Sequence, residues 1–126
     1  MSDQTRSTVT ISVDLKKYRI RIFKALIHQM GDAKYVQLLV NPEEMAVALV
    51  FAEKESSGDQ THRLSLSTLA SDNSVEIYSR PFIDKLCEVV GGLNGGRSYR
   101  LTGTAMPAEK VAVFSLKTIV PITKQE

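Results

Sequence analysis

Five cationic residues, Lys16, Lys17, Arg19, Arg21 and Lys24, fall within residues 15–31, where no Asp or Glu occurs. All 14 acidic residues lie elsewhere, although the whole chain carries a net charge of only +2. Such clustering suits one chemistry in particular. Each phosphate neutralised by Lys or Arg releases condensed counterions and adds salt-sensitive affinity. Phosphate contacts carry no base information, so this binding is independent of nucleotide sequence. On a helix turning about 100° per residue, Lys17, Arg21, Lys24 and His28 gather on one flank, opposite Leu15, Ile22, Phe23, Leu26, Ile27 and Met30. Arg19 falls on the apolar side of that wheel. Lys16, Lys17, Arg21, Lys24 and His28 are therefore the candidate nucleic-acid contacts. The same face also suits plain solvation, as most charged helix faces do, or contact with an acidic protein.

Other chemistry finds less support. Gly91-Gly92-Leu93-Asn94-Gly95-Gly96-Arg97-Ser98 comes close to the phosphate loop G-x-x-x-x-G-K-[ST]. Arg97 stands where lysine belongs, and the stretch follows a helical pattern and precedes a strand, the reverse of the motif's context. A helix N-terminus with its converging amides is then missing, and a flexible connector is the better reading. His28 and His62 have no evident nucleophile beside them. Cys87 sits next to the apolar face of a helical stretch and reads as a packed thiol. Glu43-Glu44 reads as a solvated turn. No catalytic residues, no cofactor and no metal ligand set are expected, since one Cys and two distant His cannot form a structural zinc site. Tyr35 and Tyr99 open strands and could stack bases, but packing at a sheet end is the default reading, and eight aromatics with no Trp are too few for a single-strand binding surface.

These residues sit in a chain of 126, 43% hydrophobic and 24% charged, an ordinary balance for a folded domain. Met1–Ser7 is polar and lacks the apolar segment of a secretory signal. No apolar run approaches the roughly 20 residues of a membrane span. A reducing, cytoplasmic setting is expected, with no membrane partner.

The elements follow from periodicity and punctuation. Thr8–Val13 is β-branched and reads as a strand. Asp14 is a good N-cap, and apolar residues at 15, 22, 23, 26, 27 and 30 predict a helix that Gly31 stops. Tyr18-Arg19-Ile20-Arg21-Ile22 alternates as a strand does, so the helix start lies at either residue 15 or residue 21. Strands are expected at 34–41 and 45–52, with Pro42-Glu43-Glu44 as the turn. A polar loop (53–60), a half-buried strand (62–69), a turn (71–74) and a strand (75–78) follow. Ser79 caps a second helix with Pro81 in its first turn and Phe82, Ile83, Leu86, Val89 and Val90 on its apolar face. Strands at 98–104 and 110–122 complete the chain.

That order prompts a search for an internal repeat. Arg21–Leu26 sits over Arg80–Leu86, Tyr35 over Tyr99, and Asn41–Leu49 over Met106–Phe114. The reading is an α+β fold of two β-α-β-β(-β) repeats, about residues 8–69 and 75–122. Two helices would pack on antiparallel sheets in one domain spanning 8–122, with short flexible ends. This order and length resemble one domain of a DNA sliding clamp, the polymerase processivity factor, over nearly the whole chain. The resemblance implies helices facing DNA, sheets facing outward, and six such domains per closed ring. It points to a non-enzymatic, clamp-like module that binds DNA without sequence preference, or that acts with itself or with a protein of DNA metabolism. The alternative is a protein-interaction or self-assembling module with no nucleic-acid contact. Ala33-Lys34-Tyr35-Val36-Gln37-Leu38-Leu39-Val40-Asn41-Pro42 is also similar to a stretch in small proteins of Gram-positive bacteria and their mobile elements, a likeness that implies no mechanism.

Overall fold

A computed structural model describes residues 6–55, 61–67 and 72–122. In chain order these form β1 (Ser7–Asp14), β2 (Arg19–Phe23), α1 (Lys24–Gln29), β3 (Tyr35–Asn41), β4 (Ala46–Ala52), β5 (Thr61–Arg63), β6 (Ser74–Tyr78), α2 (Arg80–Val90), β7 (Ser98–Met106), β8 (Val111–Ser115) and β9 (Val120–Pro121). The described strands join one antiparallel sheet in the order β5-β3-β4-β8-β7-β1-β2-β6, with β9 returning to pair with β7. The ends of this sheet approach each other. Ser65, just past β5, shares a cleft with Ser74, Glu76 and Tyr78 of β6, and α2, which follows β6, packs against β3. The sheet is thus barrel-like and nearly closed.

The architecture corrects the two-repeat, two-helix α+β clamp-like expectation. Arg19–Phe23 is a strand, paired on one side with β1 and on the other with β6. The first helix shrinks to Lys24–Gln29. The apolar spacing that suggested one long helix combines two periods: Ile20 and Ile22 face inward at strand spacing, then Leu26, Ile27 and Met30 at helical spacing. Nor do the halves form separate sheets. β1 pairs with β7, β2 with β6 and β4 with β8, so the sheet interleaves both halves of the chain. Backbone pairing satisfies N–H and C=O groups across distance in the sequence, and local alignment of residue types carries no record of it.

Other elements follow the sequence closely. β4 alternates Val47, Leu49 and Phe51 inward against Ala46, Ala48 and Val50 outward. The Ser79 Oγ accepts from the Phe82 N–H at 3.3 Å, capping α2 with Pro81 in its first turn. The strand expected over 110–122 breaks up: β8 ends at Ser115, a 3-10 turn covers Leu116–Thr118, and the chain returns as β9. β5 ends at Arg63, so the strand expected from 62 is short. Residues 1–5, 56–60, 68–71 and 123–126, on which the frayed ends, the loop tip and the end of the 62–69 strand were placed, lie outside the described residues.

Three hairpins share one construction. The loops before β2, β4 and β8 each have four residues and end in a left-handed one: Tyr18 (φ 55°), Met45 (φ 52°) and Lys110 (φ 60°). Loops of this length are a common hairpin solution. Inside, a single cluster draws Ile11, Ile20, Ile22, Leu49, Leu101 and Phe114 from the sheet and Ile27, Ile83 and Leu86 from the helices, all essentially without exposure. Each such side chain contributes about 1.5–3 kcal/mol by leaving water. No helix among the described residues is long and apolar enough to cross a membrane.

Candidate functional site

The outer face of the sheet divides by chemistry. Over β3, β4 and β8 it is apolar. Leu39 pairs with Ala48, and Ala48 with Val113, in a row that floors a groove of about 770 Å³. Over β7, β1, β2 and β6 it is polar and charged. Pairing aligns Ser98, Asp14, Arg19 and Tyr78 in one row across those strands, and Arg100, Ser12, Arg21 and Glu76 in the next.

The cationic site lies at the end of these rows. Asp14 closes β1, and its Oδ1 accepts from the backbone N–H groups of Lys16 (3.1 Å) and Lys17 (3.3 Å). An aspartate that ties down the next backbone amides in this way fixes a tight turn. Leu15 points into the core, so Lys16 and Lys17 are left exposed on the turn. The Leu15 N–H donates to the Arg97 carbonyl at 3.2 Å, which draws the 91–97 loop alongside. Asn94 shapes that loop: its Oδ1 accepts from the Gly96 N–H at 2.9 Å, and its carbonyl accepts from the Arg97 N–H at 3.1 Å. The result is a cleft of about 640 Å³ lined by Lys16, Lys17, Arg19, Arg21 and Arg97, with Asp14 its single carboxylate among the described residues.

The five cations are not equivalent. Arg19 reaches Asp14 at 2.9 Å and Glu76 at 3.5 Å, and Arg21 reaches the other Glu76 oxygen at 2.6 Å. The Arg21 hydrogen bond holds the Glu76 carboxyl below its ordinary range; partial burial opposes this, and the Arg19 and Arg21 charges reinforce it. Burial works against the charge on Arg19, but the Tyr78 hydrogen bond and the two carboxylates outweigh it and raise its pKa. Arg19 and Arg21 are thus already neutralised. Lys16, Lys17 and Arg97 form no ion pair among the described residues. The Arg21 Nε is buried without a hydrogen-bond partner among the described residues.

Of the residues expected to contact nucleic acid, Lys16, Lys17 and Arg21 come together in this cleft. Lys24 and His28 do not line it. They belong to α1, beyond β2, and His28 is held against Asp32. The helical flank that would have aligned all of them does not exist. Arg19, set aside because it broke the helical wheel, joins the site because strand alternation puts it beside Arg21. That alternation was visible in Tyr18–Ile22. Arg97 was weighed only within the rejected phosphate-loop motif and not as a partner of these lysines, because its approach comes from the pairing of β1 with β7 and the Leu15–Arg97 hydrogen bond, which leave no local signal.

The remaining candidates fall away on geometry. The 91–98 loop runs from α2 into β7, so no helix opens after it. Burial, helped by the nearby Asp84 charge, pushes the Cys87 thiol up and keeps it protonated. Tyr99 is buried, its hydroxyl accepting from the Asn94 N–H at 2.9 Å. Tyr35 is half-buried on β3. Among the described residues no group of three or more His, Cys, Asp or Glu side chains could hold a metal ion. Comparison with protein-family models, curated proteins and solved structures finds no match to this chain.

Proposed function

We propose that the chain is a non-enzymatic binding module that holds the phosphate backbone of nucleic acid in the cleft between the 15–18 turn and the 91–97 loop. The observation that carries this reading is the convergence of Lys16, Lys17 and Arg97, exposed and without an ion pair among the described residues, on one concave site whose walls are two arginines already neutralised by Asp14 and Glu76. A cation with a carboxylate partner has that contact to give up before it meets phosphate. The three unpaired cations do not, so they supply the affinity.

The mechanism is electrostatic. With three free cations, log K falls against log salt with a slope no steeper than about −3. Affinity should be indifferent to base sequence. The test is a titration of a labelled oligonucleotide at several salt concentrations. Lys16→Glu with Lys17→Glu should weaken binding at least tenfold at low salt and flatten the slope. Lys24→Glu, which changes a cation outside the cleft, should leave both nearly unchanged. No binding at low salt, or equal loss from Lys24→Glu, removes the proposal.

A second reading, self-association, draws on the apolar half of the outer face, where Leu39 is 40% exposed beside Ala48 and Val113. It expects a defined oligomer in solution that Leu39→Lys dissociates, with no effect of the Lys16 and Lys17 changes.

A further inference from the structure

We infer that the nucleic acid taken by this site is single-stranded, with a base stacked on Tyr78 and the neighbouring phosphates on Lys16, Lys17 and Arg97; this rests on the phosphate-binding reading above. Tyr78 is 59% exposed, the most exposed large hydrophobic side chain among the described residues. It stands on the outer face of β6, the terminal strand, directly across from Arg19. Its hydroxyl donates to the Glu76 Oε1 at 3.3 Å, so the polar end of the ring is tethered while much of the side chain remains in water.

The tyrosine and the cations belong to one continuous surface. A second cleft, about 490 Å³, is lined by Ser65, Asp72, Asn73, Ser74, Glu76 and Tyr78, and it meets the cationic cleft at Arg21, which lines both. From β6 across β2 and β1 to β7 is three inter-strand spacings, about 14 Å. That is the reach of a few nucleotides and well short of one duplex turn, about 34 Å. A duplex keeps its bases stacked on one another and has no free base face to offer a tyrosine. An unpaired strand offers one at every nucleotide, and aromatic stacking beside a cationic track is how sequence-tolerant single-strand sites gain affinity. Between the two ends stand Arg19 and Asp14, with Arg21 and Ser12 in the next row, where the Ser12 hydroxyl suits a sugar or phosphate oxygen.

The experiment compares oligo-dT, oligo-U and a blunt DNA duplex of equal length by fluorescence anisotropy at fixed low salt. Both single strands should bind at least tenfold more tightly than the duplex. Tyr78→Ala should weaken single-strand binding by roughly tenfold to a hundredfold with the salt slope unchanged, because no phosphate contact is lost. Tyr78→Phe should retain most of the affinity. Tyr78→Trp introduces a tryptophan into a chain that has none, and its emission should be quenched by the single strands and not by the duplex. Duplex binding as tight as single-strand binding overturns the inference. So does full affinity in Tyr78→Ala while the Lys16 and Lys17 changes still abolish binding; that pattern leaves the phosphate reading standing. Absence of binding by all three probes removes both.

Discussion

Ser79 is buried at 5% exposure, where a polar side chain is tolerated only with hydrogen-bond partners. Its hydroxyl supplies the N-cap of α2, so Ser79→Ala should cost about 1 kcal/mol, read as a lower urea midpoint with an unchanged m-value. This cap was legible in the sequence because the amide it satisfies, that of Phe82, lies three residues away. The Glu76 contribution was not, since Arg21 reaches it from another strand. Its pH behaviour follows from the sign of its shift. A carboxyl held below its ordinary 4.5 binds protons more weakly folded than unfolded, so it stabilises the fold above pH 4.5 and loses that contribution as pH falls below it. Urea midpoints of the parent chain and Glu76→Gln should differ at pH 7 and converge in acid. His62, lowered from 6.5 by burial, acts in the same direction: its contribution is present above pH 6.5 and fades as the solution is acidified.

At the scale of elements, β7 and β8 are held together through an unusually close approach. Gly103 lies across from Phe114, and a Cβ on it would sit 2.1 Å from the Val113 carbonyl oxygen and 2.7 Å from the Phe114 ring. The missing side chain is what lets the Phe114 ring enter the core. Gly103→Ala should therefore destabilise by about 1–3 kcal/mol through overpacking, measurable by thermal or urea unfolding. Phe114→Ala at the same contact should cost about 3–5 kcal/mol through the cavity it leaves. Strands with β-branched or clearly alternating residues, such as β1 and β4, were readable from sequence alone. The 15–30 stretch was legible only as two competing readings, because a five-residue strand running straight into a six-residue helix sets strand alternation in Tyr18–Ile22 against helical spacing at Ile22, Phe23, Leu26, Ile27 and Met30. Pro42-Glu43-Glu44 announced the turn between β3 and β4, but the left-handed geometry that all three hairpins share was hidden for another reason. Their left-handed positions are Tyr18, Met45 and Lys110, and none carries the Gly or Asn that announces such a turn. Lys110 carries a further role: its Nζ donates to the Met30 carbonyl at 3.0 Å, satisfying an open acceptor at the end of α1.

For the molecule as a whole, the interleaved sheet decides how stability is shared. Because β1 pairs with β7, β2 with β6 and β4 with β8, neither half can lose its structure without stripping hydrogen bonds and core contacts from the other. Unfolding followed by far-ultraviolet circular dichroism and by tyrosine fluorescence should give coincident transitions. The same pairings explain why the cleft was only partly legible. Lys16, Lys17 and Arg21 are close in sequence and were found together, while Arg97 arrives through the pairing of the chain's first and last long strands.

β1 also imposes an order on synthesis. Of the described strands it is made first, yet one of its two edges waits for residues 98–106. While the ribosome works through the intervening stretch, that edge has no native partner and stays open to chance pairing with other chains. Chains truncated before Ser98 should be drawn to holdase chaperones, and refolding of the complete chain should take milliseconds to seconds, the pace set by closing so long a loop.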